Sequence, residues 1–261
     1  MAGVALVAGC AIGIGAGVAR QLAAEGYTVA AMDVRPPDET VAAIEAAGGS
    51  ARGYVCDVRD WEGVGAVVEQ VEAEQGALTA AVAVAGVWES VPFLELTPES
   101  WHRVVDINLE GAFVVSRRAA EPMARRGAGA IVCISSNAAY MAWQGGVHYS
   151  ASKAGIVGMV RAMAFELGPR GVRANAICPG TVRSGATEEV LRDPEVVAAQ
   201  SRAHVIGRVG EPQDIAHAVA FLLDPVRAAW ITGEAMLVDG GFGTHGEDPG
   251  FDAPSSVPAG G

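Results

Sequence analysis

Among the 261 residues there is a single lysine, Lys153, and it stands four positions after Tyr149 in the run Tyr149-Ser-Ala-Ser-Lys153. Every other basic position is arginine. On a solvated surface the two cations are near-interchangeable, so a lone lysine marks a place that needs a compact ammonium on a flexible stem. Residues four apart share one face of a helix. An ammonium beside a phenol favours phenolate and moves the tyrosine from a pKa of about 10 toward the range of a general acid/base. The competing reading is a lysine left by chance on a solvated helix face.

Composition narrows what such a pair serves. A formal net charge of −12 disfavours nucleic acid and anionic membranes as partners. No stretch reaches the roughly 18 apolar residues of a membrane span. Val4-Ala-Leu-Val-Ala8 runs straight into glycines with no charged region ahead of it, so no signal peptide is expected and the protein reads as cytoplasmic. Cys10, Cys56, Cys133 and Cys178 lie far apart with no Cys-x-x-Cys pair, which implies reduced thiols and no metal site. Cys10, inside a glycine loop, is the one expected to be prone to oxidation.

The elements that must hold Tyr149 and Lys153 follow from hydrophobic patterning. Strands are expected at Val4–Ala8, Thr28–Asp33, Gly53–Cys56, Thr79–Ala85, Ala130–Ser135, Arg173–Cys178 and Glu234–Val238. Helices are expected near 14–25, 38–47, 60–75, 98–126, 149–168 and 212–223, with Thr97 as N-cap and Pro98 at the first helical position of the fourth. Strands apolar throughout, each followed by a helix, imply a parallel sheet covered on both faces. The expected α/β fold is a Rossmann-like, doubly wound three-layer sandwich of seven parallel strands, with its crevice at their carboxyl ends. One domain spans 1–241, and 242–261, rich in Gly, Pro and Ser, is expected to be a flexible extension.

The first strand empties into Gly9-Cys-Ala-Ile-Gly13-Ile-Gly15-Ala-Gly17, which opens a helix. Glycines there allow a tight turn and let a pyrophosphate approach helix N-terminal amides. Asp33 ends the next strand, where a carboxylate can accept both hydroxyls of an adenosine ribose and repel a 2′-phosphate. With no basic residue in Cys10–Ile12, this favours NAD over NADP, although Arg35 stands close enough to meet a phosphate.

Together these residues resemble the short-chain dehydrogenase/reductase family. The carrying features are Gly9-x-x-x-Gly13-x-Gly15, Cys56-Asp57-Val58, Asn108 in Asp-Ile-Asn-Leu, Ile134-Ser135-Ser136, Tyr149-x-x-x-Lys153, Pro179-Gly180, Gly207-Arg-Val-Gly-Glu-Pro and Val238-Asp-Gly-Gly241. The resemblance runs from Val4 to about Gly241.

What the resemblance implies is hydride transfer at a carbonyl carbon with Tyr149 as proton donor or acceptor. Lys153 would lower its pKa and bind the nicotinamide ribose. Ser136 would hydrogen-bond the substrate oxygen, with Ser135 the competing candidate, and Asn108 would hold a water beside the lysine. Gly9, Ala11, Ile12, Gly13, Ile14 and Gly15 would contact the cofactor with Asp33 and Val34. Asp57, Val58, Ala85 and Gly86 would flank its adenosine, and Pro179, Gly180, Val182 and Ser184 its nicotinamide. Two departures from the family pattern stand out: Ala8 replaces a threonine, and Ala83-Val84-Ala85-Gly86 replaces Asn-Asn-Ala-Gly. Joint loss of both partners of a polar contact can be nearly neutral.

The segment 183–208 matches the family's variable lid. Trp88, Ala138, Met141, Trp143, Val147 and Thr187 are expected around the substrate, although each also suits a core or interface. They favour a bulky, hydrophobic ketone or secondary alcohol, cyclic or aryl. His148 is read as a capping or surface residue, and His102, His204 and His217 as exposed. Homotetramers joined through helices 108–126 and 149–168 are usual in the family. Three functions are weighed: an NAD-dependent alcohol dehydrogenase/ketone reductase; an NADPH-dependent 3-oxoacyl-(acyl carrier protein) reductase; and a non-catalytic dinucleotide-binding protein.

Overall fold

The computed structural model describes residues 3–185 and 187–244. Seven strands pair in parallel: β1 Val4–Ala8, β2 Thr28–Asp33, β3 Ser50–Val55, β4 Leu78–Ala83, β5 Gly129–Ile134, β6 Val172–Pro179 and β7 Ala235–Val238. Their spatial order is β3-β2-β1-β4-β5-β6-β7. The chain therefore winds outward from β1, returns to β4 and winds the other way, which opens a crevice between the carboxyl ends of β1 and β4.

Strand alternation sorts the core into two layers. Leu6 and Ala8 of β1 face a cluster with Val64, Val68, Val115, Met123 and Ile156, brought by α3 (Trp61–Glu74), α5 (Gly111–Arg126) and α6 (Val147–Leu167). Ala5 and Val7 face the opposite cluster with Val18, Leu22, Ile44, Ile215 and Leu222, brought by α1 (Gly13–Ala24), α2 (Asp38–Ala46) and α8 (Pro212–Leu223). Small residues set the spacing. A Cβ on Gly17 would come within 2.9 Å of Pro212, so α1 and α8 cross with backbones close.

Two expected elements change form. The helix expected over 98–126 divides into α4 (Pro98–Val105), a π turn over Asp106–Glu110 and α5. Thr97 caps α4 as expected, accepting from the Ser100 amide at 3.2 Å. The π turn carries Asn108, whose side chain is committed to the backbone of Val87. Strand β3 begins at Ser50 rather than Gly53, since its ladder with β2 runs from Thr28↔Ser50 through charged Arg52. An edge strand needs no apolar outer face.

The lid holds a further helix, α7 (Pro194–Ala203), which hydrophobic periodicity did not reveal. Its signal is Asp193-Pro194-Glu195, with Asp193 accepting from the Glu195 amide at 2.8 Å. Phe242–Thr244, the start of the expected extension, form a short 3₁₀ turn. Its remainder, 245–261, lies outside the described residues.

Gly48 and Gly171 both adopt left-handed φ, at +82° and +71°. A Cβ on Gly48 would meet nothing within 4 Å, whereas one on Gly171 would overlap the Gly127 carbonyl. Gly48→Ala should therefore cost only the left-handed strain, about 1 kcal/mol. Gly171→Ala should cost clearly more, and urea unfolding of the two variants measures the difference.

Candidate active site

Helix α6 begins at Val147, so Tyr149 and Lys153 fall on consecutive turns of one face. The Lys153 Nζ lies 5.6 Å from the centre of the Tyr149 ring and donates to the Ile134 carbonyl at 3.0 Å. The residue is 3% exposed. Burial without an anionic partner penalises the ammonium and lowers Lys153 to a pKa of about 8.

Tyr149 departs from expectation. Its pKa is raised, because burial of the phenolate outweighs the hydrogen bond from Ser136 that pulls it down. The lysine does not lower it here.

The two serines separate cleanly. Ser135 donates to the Lys153 carbonyl at 2.8 Å, so its hydroxyl ties β5 to α6. Ser136 lies two residues beyond β5, where its hydroxyl faces that of Tyr149. Its Oγ also accepts from the Ala138 amide at 3.1 Å and donates to Asn137 Oδ1 at 3.3 Å. Asn108, fully buried, accepts from the Val87 amide at 2.7 Å and donates to the Val87 carbonyl at 3.0 Å and to Ser152 at 3.2 Å. Gly86 closes this arrangement: a Cβ there would sit 3.2 Å from Asn108 Oδ1 and 3.3 Å from Lys153 Nζ.

These residues open onto a cavity of about 630 Å³. At one end, Gly9 and Gly13 have φ of +92° and +60°. A Cβ on Gly9 would lie 2.5 Å from the Ala85 amide, and one on Gly15 would overlap the Gly9 carbonyl. Helix α1 starts with no side-chain cap and no acidic residue in its first turn, leaving its amides for an anion. The loop fits a dinucleotide diphosphate on these grounds. At Ala8 and Ala83, where side-chain contacts are missing, the ends of β1 and β4 are joined by backbone, Val84 and Ala85 both donating to the Ala8 carbonyl at 2.9 and 3.0 Å.

Asp33 accepts from the Ala11 amide at 2.9 Å and the Arg35 amide at 3.0 Å, which aims its carboxylate at the loop. Ala11 thus acts through Asp33 and does not line the cavity, unlike Ile12, Ile14, Val34, Val58 and Ala85. Asp57 is held by Arg59, Nη2 to Oδ2 at 2.6 Å, and those hydrogen bonds lower its pKa. At the other end, Pro179, Gly180, Val182 and Ser184 line the wall. The Thr187 hydroxyl donates to the Val182 carbonyl at 2.6 Å, so it organises this turn as well as facing the cavity.

Of the six residues expected around the substrate, Trp88, Trp143 and Thr187 line the cavity. Ala138, Met141 and Val147 do not. Ala138 is buried in the turn that Ser136 caps, and Met141 lies toward Gly243. Val147 is 39% exposed at the first position of α6. The lining that sequence reasoning missed includes Ile134, Asn137, Val190, Leu191 and Gln200. Asn137 was legible as the neighbour of Ser136. The three lid residues carry no motif.

Three further expectations are corrected. His148, the second residue of α6, is fully buried and paired to Glu89 at 3.2 Å. His204, 3% exposed, bonds the Gln200 carbonyl through Nδ1 at 2.6 Å and accepts from the Thr181 amide at 3.3 Å, pinning α7 to the cavity wall at Gly180–Val182. Cys10 is fully buried, and desolvation pushes its thiol up to about 12, which suppresses the thiolate that oxidation needs. Among the described residues no helix is long and apolar enough to cross a membrane, and no group of His, Cys, Asp and Glu could hold a metal.

Fold and site together join a doubly wound parallel sheet and its glycine loop to a tyrosine and a lysine on one helix face at the cavity wall. A family model described as enoyl-(acyl carrier protein) reductase matches residues 9–243. The chain is 37% identical over 250 residues to 3beta-hydroxysteroid dehydrogenase 1 of Eggerthella lenta, covering 94% of each. It is 32% identical to 3-oxoacyl-(acyl-carrier-protein) reductase FabG of Thermotoga maritima, covering 92% of this chain and 97% of that one. A short-chain type dehydrogenase/reductase from Mycobacterium marinum superposes with a TM-score of 0.87 at 29% identity, covering 92% and 95% of the two chains. The chain belongs to the short-chain dehydrogenase/reductase family of oxidoreductases.

The buried ammonium has a stability consequence. Lys153 binds its proton less tightly folded than unfolded, so between pH about 8 and 10.5 the unfolded chain holds a proton that the folded chain has released. Stability then rises with pH across that window. Lys153→Met should raise the unfolding free energy at pH 7 by about 1–2 kcal/mol, less than the full relief because the Ile134 carbonyl loses its donor. The gain should vanish near pH 10, as followed by urea unfolding at both pH values.

Proposed function

We propose that the chain is an NAD-dependent oxidoreductase that interconverts a bulky, hydrophobic secondary alcohol and its ketone. The observation that carries this reading is Tyr149, with Ser136 on its hydroxyl and Lys153 on its helix face, at the wall of a cavity whose far end fits a dinucleotide.

The nicotinamide, when bound, supplies the hydride acceptor or donor. In the reducing direction Tyr149 gives its proton to the substrate oxygen while the Ser136 hydroxyl donates to that oxygen and steadies its developing charge. In the oxidising direction the phenolate takes the alcohol proton. Lys153 holds the site together from behind, its ammonium on the Ile134 carbonyl and its backbone on Ser135. Asn108 fixes the Val87 backbone beside Lys153.

NAD is favoured by Asp33, whose carboxylate faces the loop where an adenosine ribose would lie. A cyclic substrate is favoured by Trp88 and Trp143 on the lining, and by the absence of any charged side chain other than Lys153 among the described residues at that end. The hydroxysteroid dehydrogenase relative agrees with this substrate class. A second reading, an NADPH-dependent reductase of 3-oxoacyl groups, is supported by Arg35 and Arg59 on the adenosine end and by the acyl-carrier reductase relative. A homotetramer is supported by large apolar side chains left on the surface, Trp230 at 98% and Phe165 at 86% exposure. Light scattering tests it.

Tyr149→Phe should lower kcat by about 10³-fold while leaving nucleotide affinity nearly intact. Unaltered turnover would remove Tyr149 from the mechanism. Because burial raises the Tyr149 pKa above its ordinary value, alcohol oxidation should accelerate as pH rises from 7 to 10 with the growing phenolate fraction, and ketone reduction should stay level while the phenol keeps its proton. Initial rates over a panel of cyclic and aryl alcohols, with NAD and NADP in parallel, check both direction and cofactor. An NADP-linked rate would promote the acyl-carrier reading.

A further inference from the structure

The loop that leaves β4 carries Trp88 into the cleft, where its ring meets Tyr149 edge-on with centroids 5.2 Å apart and planes at 81°. Its position is also limited from the other side, since a Cβ on Gly146 would lie 3.2 Å from Trp88 Cζ3. The next residue, Glu89, does not reach the cleft. One oxygen of its carboxylate accepts from His148 Nε2 at 3.2 Å and from the Ser100 hydroxyl, and the other from Arg103 at 2.5 Å. One side chain thus joins the loop to α4 and to the first turn of α6. Two residues on, the Val91 amide donates to the Gly145 carbonyl at 2.9 Å, fastening the same loop to the turn before α6.

His148 makes the Glu89 contact a demanding one. The ring is fully buried, and a carboxylate only accepts, so Nε2 is the donor. Nδ1 is also buried and has no hydrogen-bond partner among the described residues. Loss of the Glu89 oxygen would leave both ring nitrogens buried and unpaired, a state that forces the ring or the loop to move. None of Glu89, Ser100, Arg103 and His148 lines the cavity, so the cluster can act on substrate only through Trp88 and the α6 start.

We propose that Glu89, clasped to His148, is a positioning residue that sets the Trp88 wall against Tyr149 and thereby selects bulky cyclic substrates. This rests on the oxidoreductase reading above. It assigns work to a buried histidine and its half-buried carboxylate partner, which take no part in moving the proton or holding the nucleotide.

The test compares Glu89→Ala and Glu89→Gln with the parent, on cyclohexanol and a bicyclic secondary alcohol against 2-propanol. Glu89→Ala should raise KM for the cyclic alcohols by about tenfold, the scale of one lost wall contact. It should leave the 2-propanol KM and the nucleotide dissociation constant unchanged. Glu89→Gln should restore the cyclic KM, because its amide oxygen still accepts from His148. Equal losses for all substrates and nucleotide, or no rescue by Gln, would reduce the cluster to general stability and overturn the proposal. A second readout needs no turnover: the Trp88 indole resonance, assigned with Trp88→Phe, should shift in the alanine variant and not in the glutamine one. An unshifted resonance also overturns the proposal. If no alcohol is oxidised by the parent with either nucleotide, the oxidoreductase reading fails and the indole shift alone decides the clasp.

Discussion

The site is organised around one ammonium taken out of water with no carboxylate to meet it. Lys153 is 3% exposed, and its donation to the Ile134 carbonyl is the hydrogen bond that replaces solvent. Such burial is costly unless the geometry around the charge is fixed. The surrounding parts are arranged accordingly. Ser135 ties the end of β5 to the Lys153 backbone, Gly86 admits the Nζ past the β4 loop, and Asn108 on the π turn clamps that loop at Val87. A lone arginine could not replace this lysine, since its planar fork needs more acceptors than one carbonyl supplies.

Around that fixed centre the walls are held by polar contacts that lie outside the cleft. His204 and Gln200 bind the lid to Thr181, where the Thr181 hydroxyl donates to Gln200 Oε1 at 2.8 Å. Phe242, just past β7, stacks on Trp143 with centroids 5.6 Å apart and lies 5.2 Å from the His204 ring. Glu89 and His148 do the corresponding work for Trp88. Apolar walls are therefore placed by polar anchors built on two buried histidines, which are directional where apolar packing alone is not.

Much of this was legible in the sequence. Uninterrupted apolar strands such as Val4–Ala8 and Thr28–Asp33 state a sheet covered on both faces, and their limits emerged as expected. The glycine loop, Asp33, Ser136, Tyr149 and Lys153 were legible because each chemistry restricts residue type and spacing. The π turn was hidden, since Asp106–Glu110 keeps helical composition and only the backbone bonding, with the Gly111 amide on the Asp106 carbonyl, reveals it. The buried states of His148 and His204 were hidden for a related reason: a histidine reads as a surface residue until its partners, Glu89 and Thr181, are placed beside it. The raised pKa of Tyr149 depends on how deeply the phenol sits, which spacing on a helix does not encode.

The central claim is that Lys153 is a desolvated ammonium tuned by burial, and the chain allows it to be tested without ambiguity because no other lysine exists. NMR titration of the protein labelled with ¹³C and ¹⁵N in lysine reports that single side chain. The account predicts a midpoint of about 8 in the nucleotide-free protein. A midpoint near the ordinary lysine value of about 10.4 would contradict it, and with it the picture of a site built around a buried charge.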